Sequence, residues 1–430
     1  MRRSHANRRD VLQNIAITLL SVSAVLLFIQ TQSYMLLPDD GFVGSFFQSG
    51  TAGTESPSQE TVAALSAPVQ IVVSGTYGRY GDIALSTADA DRFGRLLAPL
   101  LSEALGSRQS FSPCTQTDFL SALSRASVYY DFLQPLPLSV LSMLVGLQGS
   151  SDDSGVLARY VVISELDSTV SLLIWDGADS FLRCETGVKS SRLQDVISSY
   201  ELGNAAFAFD LVQSDPVFED ISPCSLFVSP MPQFQTLNVS AREDDTSSLL
   251  SALGFNPYAN TRYTESNGTE VVMEGDQTLR ISADGQLRYQ SGARSSLFIA
   301  DSDSPTLDEA VQGAWELLQT VISGHLGSAV PYLSQVTQSG DTTVLRFGFH
   351  VDGTPVRFLD DAPAAEIRLQ GSAVTSLSVT LRSYALSGDS ASPLPLRQAA
   401  AIAALEPGKD LSLAYVDDGG STCELTWLSE

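Results

Sequence analysis

No charged residue occurs between Asp10 and Asp39, and the stretch Val11–Ile29, VLQNIAITLLSVSAVLLFI, is apolar over most of its length. At 1.5 Å rise per residue, a helix over this stretch covers roughly the ~30 Å hydrocarbon core of a bilayer. It therefore reads as a membrane-spanning helix, with the rest of the chain folding on the far side. Arg2, Arg3, Arg8 and Arg9 precede the run, whereas Asp39 and Asp40 are the first charges after it. Positive flanks stay cytoplasmic, so the expected topology is single-pass, N-terminus inside and bulk extracytoplasmic. No A-x-A-like site follows the run and no cysteine stands there to be lipidated, so an uncleaved anchor is expected rather than a cleaved signal.

At 100° per residue, Asn14, Thr18, Ser21, Val25 and Phe28 share one stripe of that helix. Polar side chains in lipid seek partners on other helices, for about 0.6 to 2 kcal/mol each. The stripe is thus the candidate surface for a transmembrane partner. The plainer alternative places Gln13 and Asn14 at the headgroup level, and no G-x-x-x-G strengthens the contact reading.

The chain has 430 residues and a formal charge of −25; setting aside Arg2, Arg3, Arg8, Arg9 and Asp10 leaves 20 basic against 48 acidic residues, or −28, beyond the membrane. Such a surface repels nucleic acid and anionic lipid, which excludes a nucleic-acid partner. With 43% hydrophobic residues the chain can build real cores, with room for two or three domains beyond the anchor. Cys114, Cys184, Cys224 and Cys423 are widely spaced and form no C-x-x-C, so zinc and thioredoxin patterns are excluded. Disulfides and buried thiols both remain open for them. Asn238 and Asn267 open N-x-S/T triplets, which matter only in a eukaryotic secretory route.

The order of patterns gives a fold class of α+β: a single transmembrane helix, then a multi-domain ectodomain of antiparallel sheets with packed helices. The expected divisions are a cytoplasmic stub (1–10), the anchor (11–34), a Ser/Gly/Thr-rich tether (35–68), a first α+β domain (69–235), a helix-plus-meander domain (236–300) and a C-terminal domain (301–430). In the first domain QIVVSG and DIALS flank a glycine-punctuated turn, a helix interrupted near Pro99 is expected over Asp89–Leu105, and YVVISEL and VSLLIWDG pair around Asp167-Ser168. Hairpins are expected at Asn267-Gly268, at Ala283-Asp284-Gly285 and at Asp352-Gly353. Thr306 and Glu309 form a capping box, and Leu307, Ala310, Val311, Ala314, Leu317, Leu318, Val321 and Ile322 lie on one face of the helix that follows. A helix, strand, turn, strand order recurs at Leu307–Phe358 and Leu396–Trp427, which suggests related halves.

Catalytic signatures are missing. His325 and His350 fit no zinc motif, there is no G-x-S-x-G, and neither Lys189 nor Lys409 has a serine three residues before it. The Gly75–Gly81 stretch lacks the G-K-[ST] ending of a phosphate loop. Asp360-Asp361 and Asp417-Asp418 are adjacent pairs, expected in turns and solvated rather than paired for acid–base work. No metal or cofactor is expected, and the protein reads as a binding or structural protein, not an enzyme.

The anchor, together with SSLLSALGFNPYANTRYTESNGTEVVMEGDQTLRISADGQLRYQ from Ser247 to Gln290, resembles the YycH family, membrane-anchored regulators of the WalK (YycG) cell-wall sensor kinase of low-GC Gram-positive bacteria. The segment is similar to that family's short helix, F-x-P, strand, acidic-Gly turn, L-R-I and G-x-L-x-Y run. Leu307–Trp427 is similar to the related YycI fold, including the Pro395-Leu396 helix start and the aromatic ending at Trp427. The resemblance is carried by Ser247–Glu430, with little from Val69–Gln235. It implies regulation without catalysis, through transmembrane-helix and ectodomain contacts with a sensor histidine kinase, WalK/YycG-like, and with a YycI-like protein. The rival reading is an extracytoplasmic envelope-assembly or ligand-binding protein without a kinase partner.

Overall fold

The computed structural model describes residues 70–76, 78–83, 96–147, 155–241, 246–258, 261–292 and 297–430. All belong to one compact unit, Thr51–Glu430. The expected anchor and its stripe, the arginine flank and the 35–68 tether lie outside the described residues. Among the described residues, no helix is long and apolar enough to cross a membrane. The fold is α+β, with strands in two mostly antiparallel sheets of nine and thirteen.

The first sheet uses β1 (Gln70–Ser74), β2 (Tyr80–Ile83), β3 (Ser112–Pro113), β4 (Ser127–Pro137), β5 (Leu157–Leu166), β6 (Thr169–Trp175), β7 (Phe181–Glu185), β8 (Ala205–Phe207) and β9 (Leu226–Val228), in the order β3-β7-β6-β5-β4-β1-β2-β8-β9. The central strands β4, β5 and β6 are apolar runs rather than alternating ones because both faces of the sheet are covered. α1 (Ala98–Gly106), α3 (Leu138–Leu144) and α4 (Ser190–Ser198) pack on one face. α2 (Gln116–Leu123), started by a Thr115/Asp118 capping box, lies with the aromatic set Phe119, Tyr129, Tyr160, Trp175 and Phe207 on the other. Asp167 and Ser168, both with positive φ (52° and 69°), make the two-residue turn that the sequence placed between β5 and β6. Of the expected Asp89–Leu105 helix the described part begins at Leu96: Leu96 and Leu97 form a π-type turn that runs into α1 at Ala98, so that the expected interruption near Pro99 falls in the first turn of α1, which suits proline. α5 (Ala208–Leu211) follows β8.

The second sheet runs β11-β12-β13-β14-β19-β18-β16-β17-β21-β22-β10-β20. β10 (Gln235–Ala241) lies between β20 (Arg382–Ser390) and β22 (Thr422–Ser429). After α6 (Ser247–Ala252), β11 (Arg262–Thr264), β12 (Glu270–Glu274), β13 (Gln277–Ile281) and β14 (Gln286–Gln290) form the expected meander, with Gly268 and Gly285 at positive φ in its turns. α7 (Leu307–Ile322) has the expected capping box and buries Ala310, Val311, Ala314, Leu318, Val321 and Ile322 of the expected face, with Leu307 and Leu317 half-buried at its rim, and adds Trp315, whose ring lies 6.0 Å from that of Phe347. β15 (Val330–Ser339), which the sequence reading left unassigned, pairs along one edge of β16 (Thr342–Val351). The other edge of β16 is shared by β18 (Ala365–Gln370) and β17 (Thr354–Phe358). β19 (Ala373–Thr380) joins β18 to β14. α8 (Leu396–Ala403) precedes β21 (Leu411–Asp417), which runs parallel to β17 and antiparallel to β22. A continuous apolar core extends from Ile71 in the first sheet to Leu425 in the second.

Candidate functional site

Between the two sheets lies a cleft of about 710 Å³, within the size range of small-molecule and cofactor pockets. The connection from β9 to β10 borders it, as do β17, β21 and the start of α8. Its polar end is built where β4 breaks register. Between Asp131 and Leu136 the pairing with β5 shifts, and Leu133 takes a φ of 61°. A leucine in the left-handed region is strained, and bulges of this kind re-aim side chains. Here the Leu133 N–H donates to Asp131 Oδ1 at 2.7 Å, and the Leu133 side chain packs on Tyr332 of β15.

Asp131 is only 5% exposed. Arg159 of β5 donates from Nε to its Oδ1 (3.4 Å) and reaches Asp410 Oδ2 with Nη2 at 2.5 Å. Asp410 Oδ2 also accepts from the Tyr160 hydroxyl at 2.5 Å, and Asp410 Oδ1 from Ser225 Oγ at 3.4 Å. One guanidinium therefore serves two carboxylates, one from each sheet's region of the chain. Burial pushes the Asp131 carboxyl up to about 6, with Arg159 opposing and Asp410 adding to the rise. Burial likewise lifts Asp82, at the cleft's edge, to about 6. Cys224 lines the same end; burial, then Asp410 and Asp131, hold its thiol well above the usual range, so it stays protonated. Among the described residues all four cysteines are free thiols.

Another part of the lining is apolar. Met231 (37% exposed) and Leu386 (44%) form it with Phe234, Leu413 and Trp427. Trp427 is fixed by donation from Nε1 to the Leu394 carbonyl at 2.8 Å and by an edge contact with Phe227, centroids 6.0 Å apart. Arg357 donates twice to Glu430 at 2.6 Å and so neutralises that rim carboxylate.

Sequence reasoning missed this site. The signal was present in outline: Asp131 in SVYYDFL and Arg159 in LARYVV are single charges inside apolar strands, and such charges are buried only when paired. Of the residues singled out from sequence, Asn14, Thr18, Ser21, Val25, Phe28 and the four N-terminal arginines lie outside the described residues. His350 sits in β16 with Nδ1 accepting from the Gly353 N–H at 3.2 Å, a satisfied strand histidine as expected. Asp417 differs from expectation: it is 3% exposed and bonds Arg382 Nη1 (2.6 Å) and the Tyr384 hydroxyl (2.7 Å), while Asp418 is the solvated member.

A two-sheet α+β protein with a charged and apolar cleft between its sheets is the class these features define. No protein-family model matches the chain, and no curated protein matches it. Among solved structures it is similar to the crystal structure of YycH from Bacillus subtilis, at 12% identity with a TM-score of 0.54, covering 86% of this chain and 94% of that one. At this identity the likeness is one of fold: the chain has a YycH-like fold. Coverage of 86% must take in much of the first sheet, where the sequence resemblance was slight.

Proposed function

We propose that this protein is a non-catalytic, membrane-anchored accessory regulator of a two-component sensor histidine kinase of the WalK/YycG type, with its bulk outside the cytoplasm. The observation that carries the reading is the YycH-like fold over nearly the whole length of both chains. The apolar run Val11–Ile29 with its arginine flank supports an anchor of N-in topology. A second reading, an extracytoplasmic ligand-binding protein, is favoured by the cleft itself. The two are compatible if the cleft receives a signal that the anchor transmits.

A regulator shifts a kinase equilibrium only by its differential affinity for the two states. One or two interhelical hydrogen bonds from Asn14, Thr18 and Ser21 could supply about 1 to 2 kcal/mol of that difference. Replacing all three with leucine is expected to weaken co-purification with the kinase and alter its output, leaving membrane insertion intact. Apolar swaps at Leu19, Leu26 and Ile29, off the stripe, are expected to do little. A triple-leucine chain that regulates as well as the native one would move the contact to the ectodomain.

A further inference from the structure

We propose that the cleft between the sheets binds a basic, otherwise apolar peptide segment, whose guanidinium or ammonium group meets Asp131 while its apolar side chains lie against Met231, Leu386 and Trp427. Charge at the polar end is incomplete. Asp131 Oδ1 accepts from Leu133 and Arg159, which leaves Oδ2 as the carboxylate oxygen open to the cleft that the residue lines. Arg159 is shared with Asp410, so one negative charge of the trio is left over. Two carboxylates sharing one guanidinium carry a net negative charge, which an incoming cation balances. With Glu430 neutralised by Arg357, four further carboxylates line the cleft (Asp82, Asp131, Asp352 and Asp410) against Arg159, the sole basic lining residue among those described, which disfavours phosphate or carboxylate ligands.

The apolar lining and the bordering strands specify the rest of the ligand. Met231 and Leu386 are exposed apolar side chains on a concave surface, so a small cation alone would leave them wet. β9 and β20 are the terminal strands of their respective sheets, and both contribute to the cleft. Terminal strands offer backbone groups that an extended peptide can use, those of Tyr384 in β20 excepted, which are already bonded to Leu326 and Ser328. The chain's own segment from Asp39 to Pro68 contains no Lys or Arg, so it does not supply the cation. This inference is independent of the kinase reading and is tested without a kinase.

The test uses the full-length chain in phosphatidylcholine nanodiscs and fluorescence anisotropy. The probe is a fluorescein-labelled pool of acetylated pentapeptides with arginine at the centre and apolar residues elsewhere; the reference pool carries citrulline, the neutral isostere, at the centre. Saturable binding is expected, at least tenfold tighter for the arginine pool. Asp131→Asn is expected to cut that preference below threefold, with folding verified by thermal melting. Leu386→Arg places a fixed cation at an exposed position on the cleft wall and is expected to weaken arginine-pool binding at least tenfold; it carries the test if Asp131→Asn does not fold. Butylguanidinium is expected to compete at least a hundredfold more weakly than the peptides. Equal binding of the two pools, absence of saturable binding, Leu386→Arg binding like native, or butylguanidinium matching the peptides would overturn the proposal.

Discussion

At the scale of single residues, burial decides what a charge does. Arg382 is 7% exposed and Asp417 answers it across 2.6 Å, with Tyr384 and the Gly419 N–H on the same carboxylate. Asp417→Ala leaves the guanidinium without its counter-ion, so a loss of about 3 to 5 kcal/mol is expected in urea unfolding. Asp418→Ala, one residue on and exposed, is expected to cost under about 1 kcal/mol; equal effects at the two positions would contradict the assignment. His350 gives a pH signature. Burial lowers it from the usual 6.5 to about 4, so the folded protein holds it neutral while the unfolded chain charges it. Its contribution is present above pH 6.5 and is lost as pH falls toward about 4. Asp82 and Asp131, raised to about 6, act in the opposite sense, since their contribution is lost as pH rises from 3.8 through 6. The difference between native and His350→Gln unfolding curves isolates the histidine: the glutamine chain is expected to lose less stability between pH 6.5 and 4. Parallel curves would show that His350 is not held neutral.

At the scale of elements, local chemistry was legible and long-range pairing was not. The Asn267-Gly268 and Asp352-Gly353 turns and the Thr306/Glu309 box are each fixed by a few adjacent residues, and each forms where the sequence placed it. Thr306→Ala is expected to cost about 1 kcal/mol in thermal or urea unfolding. β15 escaped detection because VPYLSQVTQS begins beside a proline and turns polar and exposed after Val336; its strand state comes from pairing with β16. SLSVTLRSY reads as one strand yet divides at Leu381, whose N–H bonds the Gly285 carbonyl at 2.7 Å. There the chain leaves β14 and β18 and joins β10, a change of partner with no local mark. Gly348 belongs to the same class. A Cβ on it would fall 2.4 Å from the Tyr332 ring that pairs with it across the ladder, and Tyr332 in turn packs on Leu133. Gly348→Val is thus expected to destabilise by about 1 to 3 kcal/mol through overpacking and to loosen the β4 to β15 contact, read as faster amide exchange at Leu133.

At the scale of the whole molecule, the sheets share one core and a set of charges that span the chain. Arg159 meets Asp131 28 residues away, and Tyr160 meets Asp410 250 residues away. Sequence patterns could show that Asp131 and Arg159 are lone charges in apolar strands, but not that a residue so distant completes their set. The same limit explains why the sequence resemblance rested on Ser247–Glu430 while the fold likeness covers 86% of the chain: core strands tolerate exchange among apolar residues, so the fold persists where motifs fade. The central claim, regulation of a sensor kinase, is tested most directly by reconstituting the full-length chain with the WalK-like kinase of the same cell in vesicles and following kinase autophosphorylation with ATP. The account predicts a change in rate of roughly fivefold to thirtyfold relative to kinase alone, the equivalent of about 1 to 2 kcal/mol of coupling. An unchanged rate, with both proteins verified in the same membrane, would contradict it.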